Sequence, residues 1–279
     1  TFSGAFTLDA GALNFNSASA LGSGAGIITI NGGTIDNTSG AAIVMTANNP
    51  QQWDEDFTFT GTNDLDMGLG AVAVGGSGTD RTVTISAGTL QIGNAGTTGT
   101  LGTGAVTNNA NLTINRSNAI SITNVISGTG SFTQAGTGTT TLSGTTANTY
   151  SGTTTINAGG LTLQKTAGVN AIAGNITIGD GTGTDTLTLA ASNQIADTSA
   201  VTLNAAGTPV FNLAGFSERV GSIASSNTGA SITLGANGAL TAGDATNTTY
   251  AGTITGTGTA SLTKEGSGTT ILTGANTYA

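Results

Sequence analysis

The run from Gly136 to Leu163, GTGTTTLSGTTANTYSGTTTINAGGLTL, recurs whole or in part along the chain. That recurrence limits the possible folds more than any other feature. It reads as four short strands joined by a Gly corner, an Asn-Thr-Tyr corner and an Asn-Ala-Gly corner. Residues 1–15, TFSGAFTLDAGALNF, align without a gap on residues 149–163, TYSGTTTINAGGLTL, at an offset of 148. The offset persists at Gly26/Gly174, Ile28/Ile176 and Ile30/Ile178. A second offset, of 128, places Ala275-Asn-Thr-Tyr on Ala147-Asn-Thr-Tyr, with residues 254–274 resembling 126–144. Both ends of the chain then share one phase, Thr1-Phe2 and Thr277-Tyr278. This predicts a segment of a longer tandem array: one continuous domain, 1–279, with long repeats of approximately 1–148 and 149–276.

Within the long repeat lies a shorter unit of strand, small corner and strand: TLDAGALNF (7–15), TINGGTIDN (29–37), TISAGTLQI (84–92), TINAGGLTL (155–163) and TLGANGALT (233–241). Apolar residues alternate with Thr at period two, so each run is a strand with one buried and one outward face. Thr suits the outward face because β-branched side chains fit a pleated surface. No stretch carries a 3.6-residue apolar period with caps. Asn-Gly pairs at 31–32 and 237–238 are hairpin signals and leave an antiparallel meander open. The repeat favours the alternative, in which near-identical units at long spacing stack on one another in register. The predicted fold is therefore all-β, a parallel β-helix (β-solenoid) of roughly a dozen coils and about 55–60 Å in length. Its expected hand is right, as for parallel crossovers generally. Asn is frequent at corners, at Asn108, Asn109, Asn115 and Asn124, and some inward Asn residues, not assignable from sequence, are expected to stack as ladders between coils.

Composition narrows function more than fold. Charged residues make up 7% of the chain, with 5 Lys/Arg against 14 Asp/Glu and a net charge of −9. That balance disfavours nucleic acid and insertion in or binding to anionic membranes. No apolar run reaches the ~18–20 residues of a membrane helix. His and Cys are both absent. This excludes a Ser-His-Asp triad, a Cys-His pair, disulfides and the usual zinc sites. No Gly-rich run ends in the Lys-Ser/Thr of a phosphate loop. The expectation is no catalytic residue, no cofactor, no metal and no enzyme.

Four constellations are candidate sites. Residues 48–67, NNPQQWDEDFTFTGTNDLDM, hold the single Trp, Trp53, and five acids: Asp54, Glu55, Asp56, Asp64 and Asp66. They read either as a binding loop with a cation site over 54–66, or as a Trp packed at a corner among solvated acids, with Phe57 and Phe59 inward. Asp180-Gly-Thr-Gly-Thr-Asp185 and Gly75-Gly-Ser-Gly-Thr-Asp80 approach a calcium-binding nonapeptide. That motif needs consecutive stacked copies, so Gly-Asp turns are the favoured reading and calcium at Asp80, Asp180 or Asp185 stays open. Glu218-Arg219 reads as a local ion pair on a solvated edge. Thr-x-Thr runs, such as Thr153/Thr155 and Thr186/Thr188, could form rows for a glycan or an ice lattice.

Residues 141–163 and 264–279, KEGSGTTILTGANTYA, resemble the autotransporter-associated β-strand repeat, also called the passenger-associated transport repeat. Lys264, Gly266, Gly268, Thr269, Leu272, Gly274, Asn276, Thr277 and Tyr278 carry the likeness. The first copy departs from it, with Gln134 in place of Lys and Thr145-Thr146 inserted. The resemblance implies a right-handed β-helical stalk on secreted or surface-displayed bacterial proteins, without catalytic residues. The expected role is a structural repeat rod, extracellular or on the cell surface. Its partners would be further repeats or other copies joined end to end. An adhesin-type module, meeting surface glycans through Thr rows or the Trp53 loop, is the alternative.

Overall fold

The computed structural model describes residues 3–68, 70, 72–74, 82–204 and 206–278. Every strand pair among them is parallel, and none of them is helical. The chain is a parallel β-solenoid of about 12 turns. It divides into two compact units, Thr1–Gly138 and Thr139–Ala279.

In the first unit the chain winds over three sheets. Phe6–Leu8, Ile28–Ile30, Gln51–Trp53 and Val72–Val74 stack in that order on one. A second carries Ala12–Asn14, Thr34–Asp36, Phe57–Phe59, Val83–Ile85, Val106–Asn108 and Ile126–Ser127. A third carries Ile43–Val44, Leu65–Asp66, Thr89–Gly96, Asn111–Arg116 and Ser131–Gln134.

In the second unit one sheet orders Thr139–Gly144, Gly160–Lys165, Thr186–Leu189, Val210–Asn212, Ser231–Ala236 and Thr253–Thr257. Another orders Thr154–Ile156, Ile176–Ile178, Ala200–Leu203 and Ser222–Ala224. The remaining face holds Ser217–Val220, Ala239–Ala242 and Ser261–Lys264, and Thr248–Tyr250 pairs with Thr270–Leu272.

Register follows the period-two pattern. Leu161, Leu187, Phe211, Ile232 and Ile254 lie one above the next, all fully buried. One residue further along, Thr162, Thr188, Asn212, Thr233 and Thr255 form the outward row. A one-residue slip would bring the whole Leu/Ile column to the surface, so burial enforces the register. Each such side chain contributes about 1.5–3 kcal/mol of burial.

The repeat length that matters to stacking is the winding. Paired residues lie between 20 residues apart (Val106 and Ile126) and 26 apart (Gly160 and Thr186). The expectation that near-identical units stack on each other holds at this short spacing and is corrected at the long one. Gly160–Lys165 pairs with Thr139–Gly144 and Thr186–Leu189; Phe6–Leu8 pairs with Ile28–Ile30. The strand-corner-strand unit also turns different corners. Residues 7–15 and 29–37 run from the first sheet of their unit to the second, while 84–92 run from the second to the third. The unit thus encodes a bend between any two faces.

The Asn-Gly signals mark such bends, not hairpins. Gly33, at φ 84°, sits where an added Cβ would lie 2.5 Å from the Gly11 carbonyl oxygen of the winding below. Both the left-handed angle and the close backbone approach require glycine there. At Gly174 the conformation is ordinary but a Cβ would lie 2.1 Å from the Gly152 oxygen.

Candidate functional site

The acidic stretch is dismantled by strand geometry. In Gln51–Trp53 the outer residues point in, so Trp53 is 1% exposed. Its Nε1 donates to Gln51 Oε1 at 3.1 Å, and its ring meets Phe57 edge-on with centroids 4.9 Å apart. Phe57 and Phe59 are buried as the alternation requires. Trp53 is therefore a core residue and offers no ring to a ligand.

The acids around it serve separate neighbours. Asp54 accepts from Gln52 Nε2 at 2.9 Å, Asp56 from the Thr82 amide at 2.7 Å and Asp64 from the Thr89 amide at 2.7 Å. Asp66 points inward, accepting from the Gly68 amide and from Gln91 Nε2. Burial raises its carboxyl to about 6 against these lowering bonds. Among the described residues no group of three or more acids converges to hold a metal ion.

Asp180 caps its own turn. Its Oδ1 accepts from both the amide and the hydroxyl of Thr182 at 2.8 Å, and these bonds lower its pKa. Asp185 is buried, and burial, with the nearby Asp180 charge, raises it. Both thus belong to one Gly-Asp turn before a strand. Asp80 and the Gly75-to-Thr79 run lie outside the described residues.

Glu218 and Arg219 do not pair with each other, a correction that follows from consecutive strand residues pointing to opposite faces. Glu218 is 2% exposed and accepts from the amides of Gln194 at 2.7 Å, Arg219 at 3.2 Å and Ile195 at 3.4 Å. Burial raises it to about 7, against those lowering bonds. Arg219 points outward and bridges Asp197, one winding back, at 2.8 Å and Glu265, two windings on, at 2.9 Å. With both sides of its guanidinium engaged, Arg219 is a clamp between windings, not an anion receptor. The groove beside it, about 480 Å³, is lined by Asp197, Asp244 and backbone-rich glycines.

A second group was legible only in part: long polar side chains turned into the solenoid at its corners. Lys165 continues the inward alternation of Leu161 and Leu163 and is 2% exposed. Its Nζ donates to the Ser143 carbonyl at 3.1 Å, and burial lowers its pKa. Gln194 Oε1 accepts the Lys165 amide, and Gln194 Nε2 donates to the Thr166 and Ser192 carbonyls. Arg116 reaches the Gly99 and Thr97 carbonyls, and Gln134 those of Gly136 and Gly138. Bends leave carbonyls without ladder partners, and a buried carbonyl needs a donor.

Buried asparagines do the same. Asn37 donates to the Ala41 and Asp64 carbonyls, Asn108 to Ser131, Asn124 to Gly104 and Asn148 to Ala171. These asparagines clip main chain of the same or an adjoining winding. A side-chain link between equivalent corners is Asn31 to Asp9, at 2.7 Å on the surface.

The outward Thr row and the groove of about 410 Å³ lined by Thr177, Thr202, Asn204, Ser225 and Thr249 carry hydroxyls and amides but no titratable group. They can hydrogen-bond; they cannot exchange a proton near neutral pH.

This is the surface of a parallel β-solenoid. The family model described as passenger-associated-transport-repeat matches residues 132–164 and 262–279. No curated protein and no solved structure matches the chain. The two matched stretches account for the Lys-to-Gln departure at the motif's first position. Gln134 donates to the carbonyls of Gly136 and Gly138; Lys264 donates to those of Glu265 and Gly266. Either side chain satisfies the Gly turn that follows it.

Proposed function

We propose that this chain is a structural repeat segment of a secreted or surface-displayed bacterial passenger, acting as part of a stalk or fibre without chemistry of its own. The observation that carries this is the match to the passenger-associated transport repeat on a chain wound as stacked parallel strands. The interior supports the same reading: the buried side chains of Lys165, Gln134, Gln194 and Asn108 bind main chain at bends. The adhesin alternative would rest on the Thr rows alone, since the Trp53 ring is buried.

The test is surface exposure in the native host. Antibodies against the folded chain, applied to intact cells and to culture medium, are expected to detect it in one of the two. Detection only after lysis would contradict the proposal.

A further inference from the structure

We propose that Asn175 and Asn247 are acceptor sites for N-linked sugar, placed there by a glycosyltransferase of the producing cell from a donor activated as a diphosphate ester. The inference goes beyond the passenger reading and is tested apart from it. The sequence holds five Asn-x-Ser/Thr triplets without Pro in the middle, at Asn37, Asn111, Asn115, Asn175 and Asn247. That triplet is the general signature of such an acceptor. A transferase that reads it has to reach the Asn amide and the hydroxyl two residues on from one side. The spacing of two is also the period of a strand, so an outward Asn brings its hydroxyl to the same face.

The structure divides the five. Asn37 is fully buried, and its Nδ2 donates to the Ala41 and Asp64 carbonyls. Asn111 Nδ2 is held between the Thr89 and Thr113 hydroxyls, and Thr113 is buried. Asn115 is half-buried within the strand Asn111–Arg116. Asn175 and Asn247 are exposed and stand at corners, each just before a strand, Ile176–Ile178 and Thr248–Tyr250.

The two exposed amides are presented alike. Asn175 Oδ1 accepts the Ala200 amide at 2.9 Å, and Asn247 Oδ1 accepts the Thr269 amide at 2.7 Å, each from the next winding. A backbone N–H only donates, so the oxygen faces the winding and the nitrogen is left outside. Among the described residues neither Nδ2 has a hydrogen-bond partner, and neither do the Thr177 and Thr249 hydroxyls. Thr177 and Thr249 line the same groove of about 410 Å³. Each acceptor therefore has its hydroxyl on the wall of an open groove, with room for a sugar ring.

In the transfer, the bond between the sugar C1 and the donor diphosphate breaks and a C1–Nδ2 bond forms. The amide gives one proton to a base of the transferase, and the diphosphate ester leaves with the bonding pair.

Peptide mass spectrometry of the chain recovered from its native host, cells and medium pooled, reads the sites in whichever compartment the protein lies. Sugar-sized mass increments are expected on the peptides of Asn175 and Asn247, with those of Asn37 and Asn111 bare. Thr249→Val keeps the Asn247 amide and removes only the hydroxyl. It is expected to lower occupancy at Asn247 about tenfold or more while Asn175 of the same chain keeps its sugar, which controls for folding.

Bare peptides at both Asn175 and Asn247, equal occupancy at buried Asn37, or undiminished occupancy in Thr249→Val would each overturn the proposal. Sugar on a chain detected only after lysis would contradict the passenger reading and support this one.

Discussion

The two copies of the repeat motif share a sequence and differ in surroundings. Leu142 is fully buried where Leu272 is 36% exposed, and Tyr150 is fully buried where Tyr278 is only partly covered. Both copies form strands at matching places, Thr139–Gly144 and Thr270–Leu272. Both use a long side chain to satisfy a Gly turn. Strand and corner are therefore local properties of the motif, whereas burial and most of the stabilisation come from the winding stacked on top. In a solenoid the energy resides in nearest-neighbour interfaces.

The sharpest way to break this comparison is to truncate the equivalent leucines. Leu142→Ala should cost about 2–5 kcal/mol, as for a packed core site, and Leu272→Ala under about 1 kcal/mol. Urea titration of both variants reads the difference. Equal costs would mean that the motif carries its stability locally.

The next largest effect sharpens the inside–outside division at Glu218 and Arg219. Glu218 titrates at about 7 in the folded chain against an ordinary value of 4.5. A raised carboxyl means that the folded state holds the proton more tightly than the unfolded one. Its contribution is complete below about pH 4.5 and is lost as pH rises through about 7, a change of about 3 kcal/mol. Asp66, raised to about 6, adds a loss of the same sign over a lower window. Glu218→Gln should remove most of the decline between pH 5 and 8 in denaturation midpoints measured across pH. An unchanged slope would show that Glu218 does not titrate in that range.

A smaller effect separates the tyrosines. The Tyr150 hydroxyl bonds Thr154 Oγ1 at 2.7 Å in the core, and burial raises its pKa. Tyr150→Phe should cost about 1 kcal/mol, and Tyr278→Phe nothing measurable, by thermal unfolding. Smallest of all, Arg219→Ala breaks two half-exposed ion pairs. Its effect on the denaturation midpoint should be the smallest of the series and should vanish at high salt.

These contrasts also show where the sequence was legible. Alternation at Leu161, Leu163 and Lys165 marks an inward column, and applied strictly it also turns Lys165 inward. The same rule separates Glu218 from Arg219, although adjacency in sequence suggested a pair. Corners were legible because glycines such as Gly33 meet a geometric requirement that no other residue meets. Which strands stack was less legible. The 148-residue offset is conspicuous to the eye, yet pairing is governed by the length of one winding, and windings vary as their corners do.

The buried asparagines show a second limit. Composition identifies Asn at bends, but whether Asn108 bonds a carbonyl or another Asn depends on which backbone lies above it. Trp53 resolves the other way: a lone Trp among acids suggests a site, and its place at the inward end of Gln51–Trp53 packs it against Phe57.

The central claim is that successive windings of the second unit advance by one strand spacing. Spin labels at the outward row test it directly, with one label fixed at Thr255 and the other moved through Asn212, Thr188, Thr162 and Thr141 in turn. The account predicts that the separation grows linearly, by about 4.8 Å per winding, to about 24 Å at Thr141. Distances that rise and fall along the series, or that do not change with the number of windings crossed, would contradict it.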